Sequence, residues 1–111
     1  MRGMKPDLLK GHLDLLLLAV LAEAPAHGYL VIDRLRQASG GTFDLPEGTV
    51  YPALHRLERA GLLDSSWDEA SARRRRVYDL TARGRAALAE RRAEWRGFAA
   101  AVGRVAGVGL A

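Results

Sequence analysis

The side chains with chemistry to offer in this sequence are cations and hydrogen-bond donors, and they gather in two places. Within residues 47–60, Val50, Leu54 and Leu57 recur at helical spacing and leave Thr49, Tyr51, His55, Arg56 and Arg59 off the apolar stripe. A helix carrying that set can lie in a DNA major groove, its positive dipole end leading, and meet phosphates and base edges; Arg56 could pair bidentately with a base. The bland alternative is a solvated face. The second place is Arg73-Arg74-Arg75-Arg76. It opens a stretch, 73–96, in which nine arginines face Asp79, Glu90 and Glu94, a net +6 against +4 for the whole chain. On a polyanion such a run releases counterions without reading sequence; away from one it is a solubilising patch.

Other chemistry is excluded by what is missing. With no Cys there are no disulfides, thiolate metal sites or thiol nucleophiles. His12, His27 and His55 lack metal-ligand spacing, and neither a phosphate-cradling glycine loop nor a Gly-x-Ser-x-Gly turn occurs. No catalytic residue, metal or cofactor is therefore expected. The chain of 111 residues, 49% hydrophobic and 27% charged, fits one small soluble domain. Its pI near 10.1 favours a polyanionic partner, and 15 of its 17 cations are Arg, whose fork suits phosphate and guanine.

Leu15–Ala22 is far too short to span a membrane, for which about 20 residues are required. With Arg2 and Lys5 before it and Ala22-Glu-Ala24 after it, the segment imitates a signal peptide. Asp7 and Asp14 are wrong for one, and cleavage would remove a helix that the core needs. A cytoplasmic location, with no membrane partner, is the expectation.

These side chains need elements to position them. Residues 1–7 read as a flexible arm containing Gly3 and Pro6, and Leu8–Glu23 as a helix stopped by Ala24-Pro25. A second helix is predicted from Gly28 or Tyr29 to Ala38, with Ile32 and Leu35 facing inward and Gly40-Gly41 ending it. The third runs from Glu47 to Ala60, with Pro52 in its first turns. Leu62–Trp67 and Arg75–Leu80 make a β-hairpin with an exposed tip, and a last helix starts near Thr81-Ala-Arg-Gly84 and reaches Val105. The order defines a mainly α fold with a small β-hairpin: a winged helix-turn-helix over 8–80, and a dimerisation helix and tail over 81–111.

The first helix is apolar around most of its girth, Leu13 and Leu16 included. The last carries Leu88, Trp95 and Val102 every seven residues, with Phe98 and Val105 beside them. Both call for a second copy of the chain, hence a homodimer. Trp95 is then either a core aromatic or, facing its twin across a two-fold axis, one wall of a slot for a planar molecule. Asp14 at the rim of that slot would favour a cation; otherwise it is an ion-paired carboxylate meeting Arg91 or Arg92 of the partner subunit.

Gly28-Tyr29, the run Glu47-Gly-Thr-Val-Tyr-Pro-Ala-Leu-His-Arg-Leu-Glu-Arg-Ala-Gly-Leu and Arg75-Arg-Val-Tyr-Asp-Leu-Thr-Ala-Arg-Gly84 together resemble the PadR family of bacterial transcriptional regulators, over about residues 8–106. The resemblance implies a dimer whose winged-helix heads bind double-stranded DNA at a palindromic operator, usually in repression. It implies that Thr49, Tyr51 and Arg56 contact the operator, supported by His27 and Tyr29; His55, Lys10 and Arg73–Arg76 complete the predicted DNA-binding set. It places the chain among compact members with a single dimerisation helix, some of which bind planar, often cationic molecules between paired tryptophans. Trp95 matches that position, and Asp14, Leu15 and Ala99 would line the pocket. A dimeric protein-interaction module without specific DNA binding is the alternative, and salt-dependent binding to duplex DNA separates the two. A small-molecule carrier or enzyme using the Trp95 slot ranks last, for want of a nucleophile or an acid–base pair.

Overall fold

A computed structural model describes residues 9, 11–70 and 72–109. The arm at 1–7 and Lys10 lie outside the described residues. Among the described residues four helices surround a small sheet in the order α1 (Leu13–Glu23), β1 (Ala26–His27), α2 (Gly28–Ala38), α3 (Glu47–Arg59), β2 (Leu63–Asp68), β3 (Arg75–Leu80) and α4 (Ala82–Ala106). This is a winged helix-turn-helix with a long final helix.

Leu8 lies outside the described residues and Leu9 is helical, but the predicted helix is interrupted before α1. Gly11 adopts φ +87°, a left-handed conformation that breaks the helical path, and the helix resumes from His12 as N-cap. Its far end stops as expected, with Ala24 extended before Pro25. Ala24 keeps its carbonyl satisfied by a 2.9 Å bond from the Arg34 guanidinium. In α2 the fully buried residue is Val31 rather than Ile32, which is only half-buried, while Leu35 is buried as expected. Pro52 sits in the second turn of α3, where the carbonyl it leaves without a helical bond belongs to exposed Gly48.

The sheet has three strands, not two, in the order β1-β3-β2, all antiparallel. Ala26 pairs with Tyr78 and His27 with Val77, while β2 runs one residue later than expected and pairs Leu63 with Leu80 through Asp68 with Arg75. Alternation along β3 turns Tyr78 and Leu80 inward. They meet Leu17, Leu18 and Leu21 of α1, Val31 and Leu35 of α2, and Val50, Leu54 and Leu57 of α3 in one core. Truncating such a leucine to alanine costs about 2–5 kcal/mol.

Leu88 belongs to this core too. It is buried by its own chain and does not join the exposed seam, because it lies on the part of α4 that crosses α1 and the sheet. Beyond it, α4 carries exposed Trp95, Phe98, Val102 and Val105, with Val108 following the helix. Leu13 and Leu16 are half-buried against the core.

Candidate nucleic-acid interface

The interface is built around the start of α3. Gly28, the first residue of α2, lies under the Tyr51 ring so closely that a Cβ there would come within 2.3 Å of it. Tyr51 thereby packs the start of α2 against the exposed side of α3, and burial, followed by the Glu47 carboxylate, raises its pKa. Exposed Tyr29 donates 2.9 Å to Glu47 Oε2, and that bond raises the Tyr29 pKa above its ordinary value. Thr49 is half-buried, two residues into α3, with its backbone N–H bonded to the Pro46 carbonyl. His55 is exposed, its ring tilted against that of Tyr78 at 6.5 Å.

His27 links three elements. Its Nδ1 accepts from Leu30 N–H at 3.3 Å and so caps α2, while the Arg75 guanidinium stands 3.0 Å from Nε2. Burial, and then the Arg75 charge, push its pKa down. The other wing arginines are organised on the opposite face of β3. Arg76 lies 5.0 Å from the Trp67 ring centre and donates 2.9 Å through Nε to Ser65 Oγ, which itself donates to Glu58 of α3. Arg74 lies 4.4 Å from the same ring. Arg73 is exposed near Tyr29 and acts on its charge. Glu47, Glu58, Ser65 and Trp67 escaped the sequence reading, because what marks them is the tertiary position of their partners.

Arg56 is placed differently from the rest of the set. It donates twice to Asp14, from Nη2 to Oδ1 at 2.8 Å and from Nη1 to Oδ2 at 3.1 Å, and this bond raises its pKa. Asp14 Oδ2 also lies 3.5 Å from Arg91 Nη1. The expected pairing of Asp14 with Arg91 or Arg92 of the partner subunit is thus corrected: Asp14 and Arg91 meet within one chain, since α1 packs along α4.

The residues grouped around Trp95 are also divided. Leu15 shares a small cavity of about 130 Å³ with His12, Arg91, Glu94, Trp95 and Phe98. Buried Ala99 lines a separate one with Val102 and Val108, which Trp95 and Phe98 also border. Asp14 reaches neither, being held by Arg56 and Arg91. In a single chain the carboxylate beside the Trp95 cavity is that of Glu94.

Residues 17–90 match the model of the Transcriptional regulator PadR-like family, and the chain belongs to that family. It is 42% identical over 71 residues to the transcriptional regulator Rv3488 of Mycobacterium tuberculosis, a match spanning 64% of each chain. A transcriptional regulator from Clostridium thermocellum has a similar structure, with TM-score 0.82 at 26% identity over 88% of this chain and 96% of its own. A PadR family regulator from Eggerthella lenta aligns with TM-score 0.80 at 33% identity over 93% and 88%. The chain is accordingly a DNA-binding transcriptional regulator and not an enzyme. Among the described residues no helix is long and apolar enough to cross a membrane.

Proposed function

We propose that the chain is a homodimeric repressor that binds a palindromic operator in the cytoplasm through two winged-helix heads, and is released by a flat, apolar or cationic small molecule. The observation that carries this reading is the outer half of α4, where, among the described residues, Trp95, Phe98, Val102 and Val105 stand exposed on one helix. An apolar run of that kind calls for another surface, and a two-fold partner supplies one. A groove of about 600 Å³ on the same molecule offers the complement, lined by Leu16, Ala19, Val20, Leu35 and Phe43 with Arg92 at its edge.

In this reading residues 8–80 form the DNA-binding head and 81–111 the dimerisation segment. Thr49, Tyr51 and His55 enter the major groove, held from behind by His27 and Tyr29. Arg73–Arg76 follow the neighbouring phosphates, joined by Lys10. In vitro selection from random duplexes tests the reading directly. An enriched inverted repeat is expected; enrichment of a single unpaired site, or none at moderate salt, overturns it and favours an interaction module.

A further inference from the structure

One carboxylate, Asp14, joins three helices. Its side chain is 16% exposed, accepts both hydrogen bonds from Arg56 in the last turn of α3, and faces Arg91 on α4. Each charge also suits its own helix end, since Asp14 lies in the first turn of α1 and Arg56 in the last turn of α3.

The C-terminal end of α3 has a second tie to α4. Thr81 donates its N–H to the Leu62 carbonyl at 3.1 Å and its hydroxyl to the Gly61 carbonyl at 2.7 Å. Gly84 packs so close that a Cβ would stand 2.1 Å from Leu62 O. Gly84 and Arg91 are roughly 10 Å apart along the axis of α4. A rod held at one point pivots, whereas a rod held at two has its angle set.

We infer that Asp14, Arg56 and Arg91 are positioning residues that set the angle of the recognition helix to α4, and that Arg56 serves this strut rather than reading a base. The inference rests on the dimeric operator-binding reading, in which α4 lies at the two-fold axis. Its angle to α3 then determines the separation of the two recognition helices and the half-site spacing they accept. A neutral side chain at position 14 or 91 leaves the Thr81–Gly84 tie in place, so α3 still folds but can swing.

The test measures binding to the duplex selected by the native chain and to versions with the half-sites moved one base pair closer or further apart. The native protein is expected to prefer its own spacing by about tenfold or more. Asp14→Asn and Arg91→Gln should cut that preference to about threefold or less without changing the slope of log affinity against log salt, and Arg91→Lys should restore it. Arg91 is a partly exposed residue of α4, so its variants keep the inference testable even where Asp14→Asn fails to fold.

Retention of the native spacing preference in Arg91→Gln overturns the strut. So does a fall of about 2 in the salt slope of Arg56→Ala, which would make Arg56 a phosphate contact in each subunit, or a loss of preference at a single base pair, which would make it a base reader. If the native chain itself is indifferent to spacing, the dimeric operator reading falls first and takes the strut with it.

Discussion

At His27 two donors compete for one acceptor. A neutral imidazole has a single lone-pair nitrogen, yet Leu30 N–H points at Nδ1 and the Arg75 guanidinium at Nε2. Protonation would remove both options and set an imidazolium against Arg75. Burial first, and then the Arg75 charge, hold His27 of the folded chain below its ordinary pKa of 6.5. Between the folded value and 6.5 the unfolded chain binds more protons, so stability is complete above 6.5, falls as the pH drops through that window, and levels off below it. Urea titrations at pH 7.5 and 5.0 should show this loss, and His27→Asn, which keeps a capping oxygen, should reduce it. An equal pH dependence in that variant would assign the effect elsewhere. At neighbouring Gly28 an added methyl would displace the Tyr51 ring. Gly28→Ala should weaken operator binding while leaving the melting temperature nearly unchanged, because alanine also favours the helix by up to about 1 kcal/mol. Native affinity in that variant would show that the ring position does not matter.

The hairpin and α4 are the elements whose details bear most on binding. Across the hairpin, Trp67 gives the cations of Arg74 and Arg76 an aromatic surface, and Ser65 with Glu58 ties Arg76 to α3. The hairpin is thus tied to α3 within the free chain. If two of Arg73–Arg76 per subunit touch phosphate, changing those two to alanine removes four contacts from a dimer, and the slope of log affinity against log salt should fall by about 3 to 4. An unchanged slope would take the wing out of the DNA interface. On α4, Gly84→Ala drives a methyl into the Leu62 carbonyl, which is backbone and cannot rotate away. A loss of about 1–3 kcal/mol in denaturant unfolding is expected, opposite in sign to what alanine gains as a helix former. A stability change below about 1 kcal/mol would mean that α4 shifts freely against the end of α3.

For the molecule as a whole, the homodimeric reading has the exposed seam from Trp95 to Val105 meet a second copy of the chain. Sedimentation at micromolar concentration should show dimer alone, and a stable folded monomer would remove the operator-spacing argument with it. A flat cationic dye should quench Trp95 if two indoles face each other across the axis, with Glu94 beside each cavity supplying the attraction that Asp14, already paired, does not. Trp95→Ala should abolish that quenching while Trp67 remains as the internal reference. For the dye to act as an effector it must also change operator affinity, because only a ligand that discriminates between two arrangements shifts their balance. Equal quenching in Trp95→Ala would leave that residue as part of the seam alone.

Sequence periodicity was enough for the major helices and the hairpin, because apolar spacing at 3.6 and 2.0 residues is a local property. It placed Val50, Leu54 and Leu57 inward and His55, Arg73, Arg74 and Arg76 outward without knowledge of any partner, whereas Arg75 is half-buried beside His27. The interruption before α1 has no signal in a leucine-rich pattern, which does not register a single left-handed Gly11. Strand β1 was missed because two residues are too few to alternate, and only the free edge of β3 makes Ala26–His27 a strand. Leu88 looked like a seam residue because a seven-residue repeat specifies one helix face but not where a covering core ends. The role of Asp14 had no local signal. Arg56 lies 42 residues away, and a carboxylate chooses among cations by distance and burial, which exist only once α1, α3 and α4 have packed.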